Sequence, residues 1–136
     1  MEKLSNNTIK TFQNLFTGYT KAYGTFDINK SDNDKKMKGK ALTVRKKINY
    51  DHYENHLNGK QGIGVVPIKD DNHNIVFCAL DIDDYDLPQE DLLKKIDDCK
   101  IPFLMCLSKS GGYHLYLFFE EDTSAQLIQK PLRKVA

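Results

Sequence analysis

Ile75-Val76-Phe77-Cys78-Ala79-Leu80-Asp81-Ile82-Asp83 reads as a buried strand that runs into two carboxylates. The apolar run is short, rich in β-branched and aromatic residues, and bounded by turn formers on both sides. On a strand, residues i and i+2 face the same way, so Asp81 and Asp83 project together while Ile82 packs behind. Two adjacent carboxylates repel unless a cation lies between them. Mg²⁺ or Mn²⁺ favours such hard oxygen ligands, shared with substrate phosphates. The same acids, with Asp84 and Asp86, also suit the ordinary solvated end of a strand. A calcium loop fits poorly, because Asp86 and Leu92 stand where that loop needs Gly and Glu.

Downstream, Pro88 marks a helix start with Leu92, Leu93 and Ile96 on its buried face. Phe103 to Leu107 reads as the next strand and Tyr113 to Phe119 as another. Between them lies Ser108-Lys109-Ser110-Gly111-Gly112, a turn longer and more polar than a hairpin needs. Gly111 and Gly112 would let backbone N–H groups approach an anion, and Ser108, Lys109 and Ser110 add donors. His114 opens the strand that follows, on the face of Tyr116 and Phe118, where an imidazole N–H can reach a phosphate oxygen. A flexible Ser/Gly hairpin before a partly buried histidine would have the same local composition. Glu120, Glu121 and Asp122 read as a solvated turn. Thr123 or Ser124 would cap a last helix through Leu127 and Ile128, which Pro131 should disturb.

Upstream, Ile63 to Ile68 reads as a strand and 69–74 as a turn, so that 63–68 and 75–83 make a hairpin. Val44, Ile48, Tyr53 and Leu57 suggest one or two helical turns closed by Asn58-Gly59. Residues 24–42 are polar and lysine-rich and predict a long mobile loop. Ile9, Phe12, Leu15 and Phe16 recur at helical spacing over 6–17. The order is β-β-α-β-β with helices before and after. That is an α+β domain with a mainly antiparallel sheet covered on one face.

The 136 residues fit one domain, read as an N-terminal segment 1–46, a core 47–122 and a terminal helix or tail 123–136. Formal net charge is +1, so the total argues neither for nor against nucleic acid. The distribution is uneven. Lys30, Lys35, Lys36, Lys38, Lys40, Arg45, Lys46 and Lys47 form a basic stretch, and Asp81 to Asp98 an acidic one. Such a pairing suits a protein that holds phosphates and cations together, and bland solvated faces would look similar. Cys78, Cys99 and Cys106 make no CxxC pair, which speaks against a zinc site and for a reducing compartment. With no signal-like start and no run of membrane-spanning length, the expected location is cytoplasmic, with no membrane partner.

Together the two motifs resemble the archaeo-eukaryotic primase superfamily, whose core pairs a strand ending in DxD with a later SxSGGxH-type motif. The resemblance is carried by FCALDID (77–83) and LMCLSKSGGYHLYLFF (104–119), and extends to HLNGKQGIGVVPI (56–68) and FTGYTKAYG (16–24). It looks like primase domains of mobile elements and bacterial conflict systems, over about residues 12–121.

That resemblance implies an RRM-like catalytic core and nucleotide polymerisation on a DNA template, with a place in DNA replication. It implies Asp81 and Asp83 as metal-binding, catalytic acids for Mg²⁺ or Mn²⁺. It makes His114 the catalytic histidine that meets the incoming triphosphate, and Ser108, Lys109, Ser110, Gly111 and Gly112 the turn lining that site. Its expected partners are nucleoside triphosphates and a DNA template and primer. Lys35, Lys36, Lys38, Lys40, Arg45 and Lys46 are the expected contacts to the nucleic-acid backbone.

The chain departs from the pattern in three places. Tyr19 stands where relatives often carry arginine, and residues 24–46 lack the cysteine cluster of some relatives. The family's third acid lies on a strand well beyond the histidine motif, whereas only residues 120–136 follow Phe119 here. The expectation is therefore a truncated primase-polymerase core whose isolated chain is weak or inactive. A helicase, another replication partner or a missing C-terminal region would complete it. Two rival readings use the same surface: a non-catalytic nucleotide- or nucleic-acid-binding module, and a metal-dependent nuclease.

Overall fold

In the computed structural model, which describes residues 4–28, 39–108 and 111–135, contacts gather into two units, Met1–His73 and Asn74–Ala136. The first begins with α1 (Asn6–Leu15), where the Ser5 hydroxyl accepts the Thr8 N–H at 3.1 Å and so satisfies a free helix-end donor. Strands β1 (Tyr23–Ile28) and β2 (Gly39–Val44) pair antiparallel, from Tyr23 opposite Val44 to Ile28 opposite Gly39. Helix α2 (Tyr50–Leu57) is opened by a reciprocal cap between Asn49 and His52. Asn58 and Gly59 close it, Gly59 in the left-handed region at φ 69°. Ile9, Tyr23, Ile48 and Tyr53 form the buried centre, ringed by Phe12, Phe16, Val44, Leu57, Ile63 and Val65.

Two expectations fail in this unit. Residues 24–42 are not a long loop, because both ends of the stretch are strands. Thr25-Phe26 and Ala41-Leu42-Thr43-Val44 favour pleated backbone. Ala41, Leu42 and Thr43 are all exposed, though, so β2 shows no alternation; Val44 belongs to β2 and not to a helix. Residues 63–68 make no hairpin with 75–83. Gly64 makes an isolated bridge to Gly24, residues 67–68 bend, and the Val66 carbonyl accepts the Tyr19 N–H at 2.8 Å. Glycine permits this approach: a Cβ on Gly18 would fall 2.0 Å from the Val66 carbonyl oxygen.

The second unit runs β3 (Asn74–Ile82), α3 (Gln89–Cys99), β4 (Leu104–Leu107), β5 (Tyr113–Ser124) and α4 (Ala125–Val135). Its sheet order is β3-β5-β4, antiparallel throughout. The parallel pair β3 and β4 is thus joined by the α3 crossover and split by β5 between them. The expected α+β class holds, with four helices and two small antiparallel sheets among the described residues. One sheet face carries Leu80, Ile82, Met105, Tyr113 and Leu115, packed against Leu92 and Ile96 of α3. Pro88 caps α3, and Glu90 and Asp91 in the first turn oppose its positive end. Leu92 is 5 % exposed, whereas Leu93, expected to be buried, is 42 % exposed; it lies one residue off the apolar stripe. Glu120 to Asp122 are not a turn but the outer part of β5, whose Thr123 and Ser124 pair with Ile75 and Asn74. Pro131 lies inside α4 without ending it.

Candidate functional site

Alternation along β3 and β5 sets which side chains leave the α3-covered face. Leu80 opposes Leu115 and Ile82 opposes Tyr113 on the covered side, so Asp81 and His114, paired between them, point the other way. There Nε2 of His114 lies 3.2 Å from Oδ1 of Asp81, with side chains 39 % and 66 % exposed. Cys106 of β4 opposes His114 from the other flank, and Leu104 opposes Tyr116. The open face is therefore built in rows, with Asp81, His114 and Cys106 in one and Ala79, Tyr116 and Leu104 in the next.

Behind His114, the Tyr116 hydroxyl is 3.4 Å from Nδ1 and the two rings meet nearly edge to face, centroids 6.0 Å apart. Tyr116 in turn stacks beside Phe118 at 6.3 Å. Burial above all, then the neighbouring Cys106 and Asp81, push the Tyr116 phenol above its ordinary value. It therefore remains a protonated donor at neutral pH.

The turn after β4 is held to the end of β3 by Gly112. A Cβ there would lie 2.3 Å from the Ile82 carbonyl oxygen and 3.6 Å from the Asp83 Cα, so only glycine lets the two chain ends touch. Ser108 N–H donates to the Gly112 carbonyl at 2.8 Å. Gly111, at φ 98°, donates its N–H to the Ser108 carbonyl at 3.2 Å. The Gly111 amide, a candidate anion donor, is thus used inside the turn. Lys109 and Ser110 lie outside the described residues. Asp83 is the first residue beyond β3 and is exposed; its Oδ1 accepts from the Tyr85 hydroxyl at 3.4 Å.

The donor set suits a hard divalent cation. Asp81 and Asp83 offer carboxylate oxygens to solvent, and substrate phosphates and water would complete the shell. Among the described residues, no three His, Cys, Asp or Glu side chains converge into a metal cluster.

The basic residues divide differently. Arg45 and Lys46 are exposed just after β2, and Lys40 lies within β2 by its backbone. Lys35, Lys36 and Lys38 lie outside the described residues. Cys78 and Cys106 both lie inside apolar runs that read as core; Cys78 is buried, and burial raises its thiol, whereas Cys106 is only partly buried. No described helix is long and apolar enough to cross a membrane. Sequence reasoning placed Tyr116 on the face of His114 but missed that its hydroxyl lies beside the imidazole. The i, i+2 spacing of Tyr116 from His114 was the available signal.

The sequence model of one family, the archaeo-eukaryotic primase domain of the TOTE conflict system, matches residues 7–135. No curated protein matches the chain.

Proposed function

This chain belongs to the archaeo-eukaryotic primase domains of TOTE conflict systems, and we propose from that membership that it binds a nucleoside triphosphate with Mg²⁺ or Mn²⁺ and adds nucleotides on a DNA template. The family supports a primase-like, nucleotidyl-transferring domain. The finer assignment rests on one observation, the 3.2 Å approach of His114 Nε2 to Asp81 Oδ1 at directly opposed strand positions.

Asp81 and Asp83 would hold the cation, which supplies charge neutralisation at the phosphates and activation of the attacking 3′-hydroxyl. His114, already within reach of Asp81, would turn its N–H from that carboxylate to a phosphate oxygen, a charge-assisted contact. The β3–β5 register fixes where both residues stand, so their spacing is set before substrate arrives. Gly112 keeps the Ser108 turn against the same strand end. Lys35, Lys36, Lys38, Lys40, Arg45 and Lys46 would neutralise backbone phosphates of the template or primer.

Primer extension with Mn²⁺ and labelled nucleotides tests this, with Asp81→Ala as the blank. Slow extension that the substitution abolishes supports polymerisation. A second reading, a non-catalytic nucleotide-binding module, is favoured by the absence of a third converging acid among the described residues. Triphosphate binding without any extension would decide for it. Release of nucleotides from labelled DNA would instead indicate a nuclease.

A further inference from the structure

We infer that Tyr116 is a positioning residue for His114, its hydroxyl donating to Nδ1 so that the neutral ring carries its proton on Nε2, the nitrogen that faces Asp81. A neutral imidazole has one N–H and one bare nitrogen, and the partner of one nitrogen decides which is which. Here the two nitrogens have different neighbours. Nδ1 has the Tyr116 hydroxyl at 3.4 Å and Nε2 has Asp81 Oδ1 at 3.2 Å. A carboxylate only accepts, so the Asp81 side needs Nε2–H. Nδ1 must then accept, and a phenol can donate to it.

The half-buried position of Tyr116 and its stacking beside Phe118 hold that hydroxyl in place. Edge-to-face contact with the imidazole restricts ring rotation as well. The consequence for ligand binding rests on the proposed triphosphate reading. A ring fixed with Nε2–H outward is ready to donate to a phosphate oxygen. A ring with Nε2 bare would instead present a lone pair to a lone pair.

The test is the tautomer of His114, read by long-range ¹⁵N–¹H NMR on the whole chain. In the parent protein Nδ1 should have the shift of a bare acceptor nitrogen and Nε2 that of a protonated one. Tyr116→Phe keeps the ring and its stacking and should move His114 toward a mixture of tautomers. Tyr113→Phe is the control. It removes a hydroxyl that donates to the Leu87 carbonyl at 3.2 Å, on the other sheet face, and should leave His114 unchanged. Affinity for Mn²⁺ with a nucleoside triphosphate should fall about three- to tenfold in Tyr116→Phe, the worth of one neutral hydrogen bond. An unchanged tautomer in a folded Tyr116→Phe protein overturns the inference. Absence of triphosphate binding by the parent protein overturns the functional reading instead, while the tautomer still decides the role of Tyr116.

Discussion

Gly112 and Ile82 are in contact through their backbones: a methyl group on the glycine would stand 2.3 Å from the isoleucine carbonyl oxygen. The contact ties the turn before His114 to the strand that ends in Asp81 and Asp83. Gly112→Ala should therefore force the two chain ends apart. The expected cost is about 1–3 kcal/mol of stability, the range for overpacking, accompanied by weaker triphosphate binding. Thermal unfolding and calorimetry on the same protein check both. An alanine variant that matches the parent in each would show that the turn sits elsewhere in solution.

Asp81→Ala/Asp83→Ala should lose divalent-cation binding while remaining folded, because both carboxylates are exposed and support no core contact. Mn²⁺ titration by calorimetry, or paramagnetic broadening of NMR signals, reads the loss. Equal broadening in the parent and the double variant would remove these acids from the metal site.

His114→Ala should weaken binding of a nucleoside triphosphate by about 1–3 kcal/mol, the value of a hydrogen bond to a charged group. Circular dichroism controls for folding. Undiminished affinity in a folded variant would assign the phosphate contact to another residue.

Leu92 and Leu93 are sequence neighbours with opposite fates, 5 % and 42 % exposed. Leu92→Ala should cost about 2–5 kcal/mol by leaving a cavity between α3 and the sheet. Leu93→Ala should stay within about 0.5 kcal/mol of the parent, as surface substitutions do. Urea unfolding of the pair measures the difference, and similar losses would contradict the placement of α3.

Binding of a short single-stranded oligonucleotide should weaken steeply with rising salt, because phosphate contacts release counterions. Replacing Lys35, Lys36, Lys38 and Lys40 by alanine should flatten that slope, and Arg45→Ala/Lys46→Ala should flatten it further. Fluorescence anisotropy across a salt series gives the slopes. Unchanged slopes would leave these side chains as a solvated surface.

The strands that carry Asp81 and His114 were legible one by one, though their pairing was not. The run before Asp81 and the alternation after His114 each define a strand, and the phases of the two strands put both polar residues on one face. The N-terminal strand pair was not legible, since neither Tyr23–Ile28 nor Gly39–Val44 alternates apolar with polar residues throughout. The supposed pairing of 63–68 with 75–83 followed from proximity in sequence. The true partner of β3 lies beyond α3 and β4, and nothing local in Ile75–Ile82 announces it. Leu93 was misplaced by one position on a helix, where a 100° step is enough to turn a side chain to water.

β5 runs for 12 residues as the middle strand of its sheet, and that makes the meeting of Asp81 and His114 a matter of counting. A slip of one residue between β5 and β3 would carry His114 through the sheet to the α3 side. A slip of two would keep the face but move the imidazole about 7 Å along the strand, beyond reach of the carboxylate. No intermediate alignment keeps the ladder bonded. Single-residue insertions or deletions between Leu80 and Ile82, or between Tyr113 and Leu115, should accordingly abolish the pair outright, whereas length changes in the connections outside the ladder can leave it whole.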